Sequence, residues 1–176
     1  VITTSRLVLR GWEDRDRVPF AAMGRDPLVM ATLGPLLPRG ESDAAIDRQR
    51  DFQARLGHCF WAIERAEDAA FLGFCGLKPG AGGTPIEHEI EIGWRLARQY
   101  WGQGYAREAA EASLRWGFTS LGVPRIMAIT TPGNDRSWGL MERIGMTRRH
   151  DLDFDHPILA AGDPLRAHIT YEAVAR

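Results

Sequence analysis

The sequence predicts a mixed α/β (α+β) domain that is not doubly wound, and two patterns carry that prediction. The first is a strand, glycine turn, helix, strand run. Glu89-Ile90-Glu91-Ile92-Gly93-Trp94-Arg95-Leu96 alternates like a strand, residues 106–121 repeat like a helix, and Arg125–Thr130 is apolar again. The second is a set of short β-rich runs on either side, joined by polar turns, which read as antiparallel hairpins. One crossover among hairpins differs from the repeated crossovers of a doubly wound sheet. The chain has 176 residues, 44% hydrophobic and 26% charged, which fits a single domain over residues 1–176 with a substantial core.

Taken in order, residues 5–10 read as a first strand. A helix opens at Glu13-Asp14-Arg15-Asp16, where acidic side chains suit a helix N-terminus. Pro27, Pro35 and Pro38 break the next stretch into loop and short helix. Residues 41–56 give a second helix, capped at Ser42 or Asp43. Residues 59–64 and 71–77 form a hairpin, and the glycine- and proline-rich residues 78–85 form a loop. In the central helix Ala106, Ala109, Ala110, Ser113, Leu114, Gly117, Phe118 and Leu121 share one face. Glu111 stands four residues before Arg115, the favourable order for an ion pair, and Gly122 reads as the stop. Asn134 or Asp135 caps a further helix that runs to Gly145. Residues 146–155 and 165–173 make a final strand pair around a proline- and glycine-rich loop.

The junction at Gln99-Tyr100-Trp101-Gly102-Gln103-Gly104-Tyr105-Ala106 holds the most information. A glycine turn at a helix start leaves backbone N–H groups unpaired with the helix dipole behind them, which suits a phosphate or pyrophosphate. Gly102 and Gly104 permit close approach and positive φ. A P-loop needs a lysine here, and the only lysine is Lys78. A dinucleotide fingerprint needs glycine where Arg107 stands and an acidic residue near Thr130. A tight turn that binds nothing is the plainer alternative.

Gln99-x-x-Gly102-x-Gly104 resembles the acetyl-coenzyme A motif of the GNAT superfamily of N-acetyltransferases. Thr4-Ser5-Arg6-Leu7-Val8-Leu9-Arg10, Glu91-Ile92-Gly93-Trp94 and Asn134-x-x-Ser137…Arg143-Ile144-Gly145-Met146 extend the likeness over nearly the whole chain. They narrow it to the RimJ/RimL-like branch, which acetylates ribosomal-protein N-termini. The resemblance implies a central, mostly antiparallel sheet of about seven strands, splayed between the fourth and fifth, with about four flanking helices. It implies acetyl-CoA as cosubstrate, with its pantetheine arm on backbone groups of Trp94, Arg95 and Leu96 and its pyrophosphate on the glycine turn. Asn134, Ser137 and Arg143 complete the implied cofactor site.

Acetyl transfer to an amine requires removal of an amine proton, donors to the carbonyl oxygen, and a donor to the leaving sulfur. A free α-amino group has a pKa of about 8, so a carboxylate acting directly or through water suffices as base. Glu91 and Glu89 share one face of a regular strand and are the candidates, with Glu91 nearer the turn; either could instead be a solvent-facing charge. The resemblance points to Ser137 as the donor to sulfur, because Met141 stands where many superfamily members carry tyrosine. Ser137 could also simply satisfy the first turn of its helix. The expected acceptor is a primary amine, first a protein N-terminus and second a small amine. A non-catalytic acyl-CoA-binding module is the reading from another class.

Net charge is −1, and the arginines are scattered, which points away from nucleic-acid and membrane-surface partners. No apolar run approaches ~20 residues, so a cytoplasmic location is expected, and a homodimer is among the allowed assemblies. The chain opens on Val1, so a few residues are expected ahead of it. Cys59 and Cys75 read as buried thiols. The five histidines lack metal-ligand spacing, and no metal is expected. Asp151-x-Asp153-x-Asp155 begins like a calcium loop but has His156 where glycine is needed and Gly162 where glutamate is needed. A strand with one acidic face is the simpler expectation, either lining the cleft to favour a cationic amine or facing solvent.

Overall fold

The structure is a computed structural model and describes residues 1–175. Nine strands and five helices follow in the order β1 (Ile2–Thr3), β2 (Leu7–Arg10), α1 (Arg17–Gly24), α2 (Pro27–Met30), α3 (Arg39–Leu56), β3 (Phe60–Arg65), β4 (Phe71–Pro79), β5 (Ile90–Leu96), α4 (Tyr105–Trp116), β6 (Arg125–Thr130), α5 (Asp135–Arg143), β7 (Thr147–Arg148), β8 (Phe154–Asp155) and β9 (Ala167–Val174). The sheet runs β1-β2-β3-β4-β5-β6-β9-β7, with β8 attached to β9. Every pairing is antiparallel except β5 with β6, the crossover that α4 spans. The expected mixed sheet is therefore present, and the two extra strands are two-residue pieces at its edges.

Alternation along β4 and β5 decides which face each side chain meets. Cys75 pairs in register with Trp94 and points to α4, where its Sγ lies 3.6 Å from Ser113 Oγ. Phe74 pairs with Arg95 and Lys78 with Glu91, so these four share the other face, toward α1 and α3. Small residues let α4 sit close to the sheet. A Cβ on Gly117 would stand 2.6 Å from Ile126 Cδ1 and 2.7 Å from Leu77 Cδ1. After Trp116 the helix widens into a π turn and ends at Gly122, whose φ of 70° is left-handed.

Several local expectations are corrected. Residues 146–155 are not one strand: β7 and β8 are separated by a 3₁₀ turn over His150–Leu152. The acidic face disappears with it, because Asp151, Asp153 and Asp155 pair with Arg149, Arg148 and Arg166. Alternation over so few residues cannot distinguish a strand from a tight turn whose carboxylates are drawn to neighbouring arginines. Glu111 pairs with Arg107 at 2.8 Å rather than with Arg115. Helix α3 opens earlier than expected, from an N-cap at Pro38 rather than at Ser42 or Asp43; Ser42 lies fully buried within it.

Candidate active site

The glycine turn sits where β5 hands the chain to α4. Gly102 and Gly104 have φ of 72° and 81°, values only glycine adopts without cost. Added bulk at Gly102 would meet nothing, so backbone conformation, rather than crowding, demands the residue. Between them Gln103 donates from Nε2 to the Gln99 carbonyl at 2.8 Å, closing the turn. The first bond of α4 runs from the Glu108 N–H to the Gly104 carbonyl, leaving the Tyr105, Ala106 and Arg107 N–H groups without helical acceptors.

A clamp from the N-terminal segment holds the turn. Glu108 accepts from Thr4 Oγ1 at 2.6 Å, Ser5 Oγ at 3.0 Å, the Arg6 N–H at 3.0 Å and Arg6 Nε at 2.7 Å. Arg6 also donates to the Gln103 carbonyl at 3.0 Å and lies over the Tyr105 ring. Partial burial raises the Glu108 pKa, but the bonds from Thr4, Arg6 and Ser5 outweigh it and hold the carboxyl below its ordinary value. The family likeness singled out Thr4-Ser5-Arg6 without giving it a task, and its partner Glu108 went unnoticed as an ordinary helix-surface charge.

Beside the turn, β5 and β6 diverge. Among the described residues their ladder consists of the single pair Glu91–Met127, so the β6-facing edge of β5 beyond Glu91 has no strand partner. The Trp101 indole takes the Leu96 carbonyl at 2.8 Å. A cleft of about 1070 Å³ runs from this gap to the turn, lined by Glu91, Trp94, Arg95, Leu96, Tyr100, Trp101, Gly102, Gly104, Tyr105, Ala106, Asn134, Ser137 and Arg143. Gln99 and Gln103 are exposed and do not line the cleft. Across the opening the Arg136 guanidinium stacks over Trp101 at 4.4 Å, tying α5 to the turn.

The two glutamates part company. Glu89 precedes β5, forks onto Arg125, which holds its carboxyl below the usual range, and does not line the cleft. Glu91 lines the cleft, is only 8% exposed, and meets Lys78 Nζ at 2.5 Å. Lys78 was expected in a loop; β4 instead extends to Pro79 and sets Lys78 opposite Glu91. Its register across the hairpin was the signal available. On the other wall, Asn134 occupies the N-cap position of α5 without a side-chain capping bond. Ser137 makes no side-chain hydrogen bond among the described residues, so it is not consumed in satisfying its own helix. Met141 is packed into the core. Burial pushes both thiols, Cys59 and Cys75, up to about 12, which makes them poor nucleophiles.

The groups present fit acetyl-CoA. Free N–H groups and a dipole at the glycine turn suit a pyrophosphate, the unpaired strand edge would suit the amides of a pantetheine arm, and the exposed Arg143 stands at the rim. No cluster of described residues could hold a metal ion, and no described helix is long and apolar enough to cross a membrane.

Comparison with known proteins agrees. The Uncharacterized protein YkkB of Bacillus subtilis (strain 168) is 34% identical over 148 residues, which cover 82% of this chain and 84% of that protein. The Uncharacterized N-acetyltransferase YnaD of the same organism is 33% identical over 152 residues, covering 84% and 82%. Among solved structures, an acetyltransferase (GNAT family) from Bacillus anthracis has a TM-score of 0.81 at 25% identity and covers 98% of this chain and 97% of its own. A putative ribosomal-protein-serine acetyltransferase from Vibrio cholerae (TM-score 0.78, 19% identity, 99% and 97% covered) shares the fold. So does a spermidine N-acetyltransferase from Vibrio cholerae in complex with CoA and spermine (0.73, 17%, 97% and 96%). The model of the acetyltransferase (GNAT) domain matches residues 6–147, a span that contains Arg6 and Glu108 of the clamp, the glycine turn, the splayed strands and both walls of the cleft, and the chain belongs to that family of acetyltransferases.

Proposed function

We propose that this chain moves the acetyl group of acetyl-CoA to a primary amine by direct attack, with Glu91 as base and Ser137 as donor to the departing sulfur. One observation supports the roles: Glu91 and the unengaged Ser137 line opposite walls of a single cleft that begins at the glycine turn. Acetyl-CoA supplies an activated acyl group. Glu91, held in place by Lys78, accepts the amine proton directly or through water, so the neutral nitrogen can form the N–C bond. Backbone N–H groups along the unpaired β5 edge steady the charge that develops on the carbonyl oxygen. Ser137 donates to the sulfur as the C–S bond breaks. Glu89, bound to Arg125, is a weaker candidate for base.

A small amine is the acceptor favoured here. The face of the sheet carrying Phe60, Phe74 and Arg95 opens into a second cavity of about 500 Å³, lined also by α1, α3 and Leu37, a volume on the scale of a small molecule. A protein N-terminal amine, the first expectation from the sequence, becomes the second reading, supported by the RimJ/RimL-like segments Thr4–Arg6 and Asn134-x-x-Ser137. Incubation with acetyl-CoA and a panel of amines and N-terminal peptides, read by mass spectrometry, tests both. Acetylated small amines with unmodified peptides support the first, the reverse supports the second, and coenzyme A binding with no acetylated product would leave only a binding module.

A further inference from the structure

The acceptor side of the sheet holds a cation with nothing to neutralise it. Arg95 pairs in register with Phe74, and its guanidinium lies 5.5 Å from that ring. Its Nε is buried without a hydrogen-bond partner, and among the described residues no carboxylate forms an ion pair with it. Arg10, on the same sheet, is by contrast held by both Asp16 and Glu64. Burial pulls the Arg95 pKa down to about 10, which still leaves it charged at neutral pH. A half-buried guanidinium with no counter-charge beside it is one that an incoming anion would stabilise.

The cofactor's phosphates are poorly placed to be that anion. The neighbouring register pair, Cys75 with Trp94, points to α4, so Arg95 points to the opposite side of the sheet, away from that helix. There it lines both the main cleft and the 500 Å³ cavity walled by Trp12, Phe20, Leu37, Phe60 and Phe74. The other charges on that cavity are Glu41 and Arg48, both exposed at its rim on α3. Along β5, Glu91 and Arg95 share one face with Gly93 between them, about 13 Å from Cα to Cα. Gly93 must stay bare, since a Cβ there would come within 2.6 Å of Phe60 Cζ.

We propose that the acceptor is a small primary amine that also carries a carboxylate and an apolar group: Arg95 binds the carboxylate, the aromatic cavity takes the apolar group, and the amine is turned toward Glu91. This rests on the acetyl-transfer reading above. Arg95 on this account is a specificity residue, since it meets the substrate away from the reacting atoms.

The test uses L-α-amino acids of differing side chain, each beside its amide and its decarboxylated amine, with acetyl-CoA and thiol release as readout. The parent enzyme is expected to favour the carboxylate member of its best set by ~10²-fold in kcat/KM, the scale of a desolvated charge-assisted pair. Arg95→Met should lose that ~10²-fold on the carboxylate member and change the other two by no more than about 3-fold. Arg95→Lys should recover part of the loss, since it keeps the charge without the planar fork. Coenzyme A affinity by calorimetry should be the same in parent and Arg95→Met, which also reports that the variant is folded. Equal rates on carboxylate and amide in the parent, equal losses on all members in Arg95→Met, or faster acetylation of uncharged peptides would each overturn the proposal. Should no amine react, N-acetyl amino acids and their amides are titrated into the coenzyme A complex, and equal or absent binding overturns it as well. Failure of the parent to bind coenzyme A would instead strike the acetyl-transfer reading itself.

Discussion

The two halves of the cleft are built on opposite plans. On the cofactor side, strand, glycine turn and helix N-terminus are consecutive in the chain. Glu108 accepts from Thr4, Ser5 and both the backbone and side chain of Arg6. The cavity on the proposed acceptor side is walled by α1, α3, β3, β4 and β5, and the half-buried Arg95 there has no ion-pair partner among the described residues. On the reading proposed above, the coenzyme side offers backbone N–H groups set by one continuous segment, and the amine side offers a side chain, Arg95, set by packing.

The largest effect should come from breaking the cofactor half at its backbone. Gly104→Asp imposes a side chain on a positive φ, at roughly 1–2 kcal/mol, and sets a negative charge against the pyrophosphate; coenzyme A affinity should fall by more than ~10²-fold. Calorimetry on the folded variant measures it, and unchanged affinity would mean that the turn does not bind the cofactor.

Next comes the point where the halves meet. Glu91→Gln keeps the shape and removes the base, so turnover at neutral pH should drop by ~10²-fold, with partial rescue as pH rises and more amine is neutral unaided. Glu89→Gln should cost far less, since Glu89 serves Arg125 outside the cleft. A pH–rate profile in which the two variants exchange behaviour would reassign the base.

Ser137→Ala should act more gently, lowering kcat by about 10-fold with coenzyme A affinity unchanged, because its proposed role arises only as sulfur leaves. Normal specific activity combined with lower thermal stability would return Ser137 to a purely structural part in α5.

The smallest effect concerns the clamp. Glu108→Gln weakens charge-assisted bonds to Arg6 and should cost about 1 kcal/mol of stability. The folded Glu108 titrates below its ordinary 4.5, so its stabilisation is complete above that value and is lost as pH falls through the lower folded pKa. Denaturant melts should show that component of acid sensitivity in the parent and its absence in Glu108→Gln. Equal slopes below pH ~4.5 would show that the clamp holds by its neutral hydrogen bonds alone.

What could be read from the chain follows the same division. The glycine turn, the small face of α4 and the stop at Gly122 are local: spacing and backbone preference within a few residues dictate them, and the structure carries all three. Residues 146–155 failed because alternation over a short acidic stretch fits a strand and an arginine-tethered turn equally well. Arg95 was picked out only for its backbone. Lys78 reads from the sequence as the start of a loop, yet strand register makes it the partner of Glu91.

The sequence by itself determined the glycine turn, because one continuous segment supplies the φ values, the free N–H groups and the dipole that an anion needs. Only the tertiary structure decided the acceptor half. Whether a buried charge is matched or left open depends on which distant side chains packing brings within reach, and for Arg95 it brings Phe60, Phe74 and Trp12 around the same cavity and no carboxylate to pair with it.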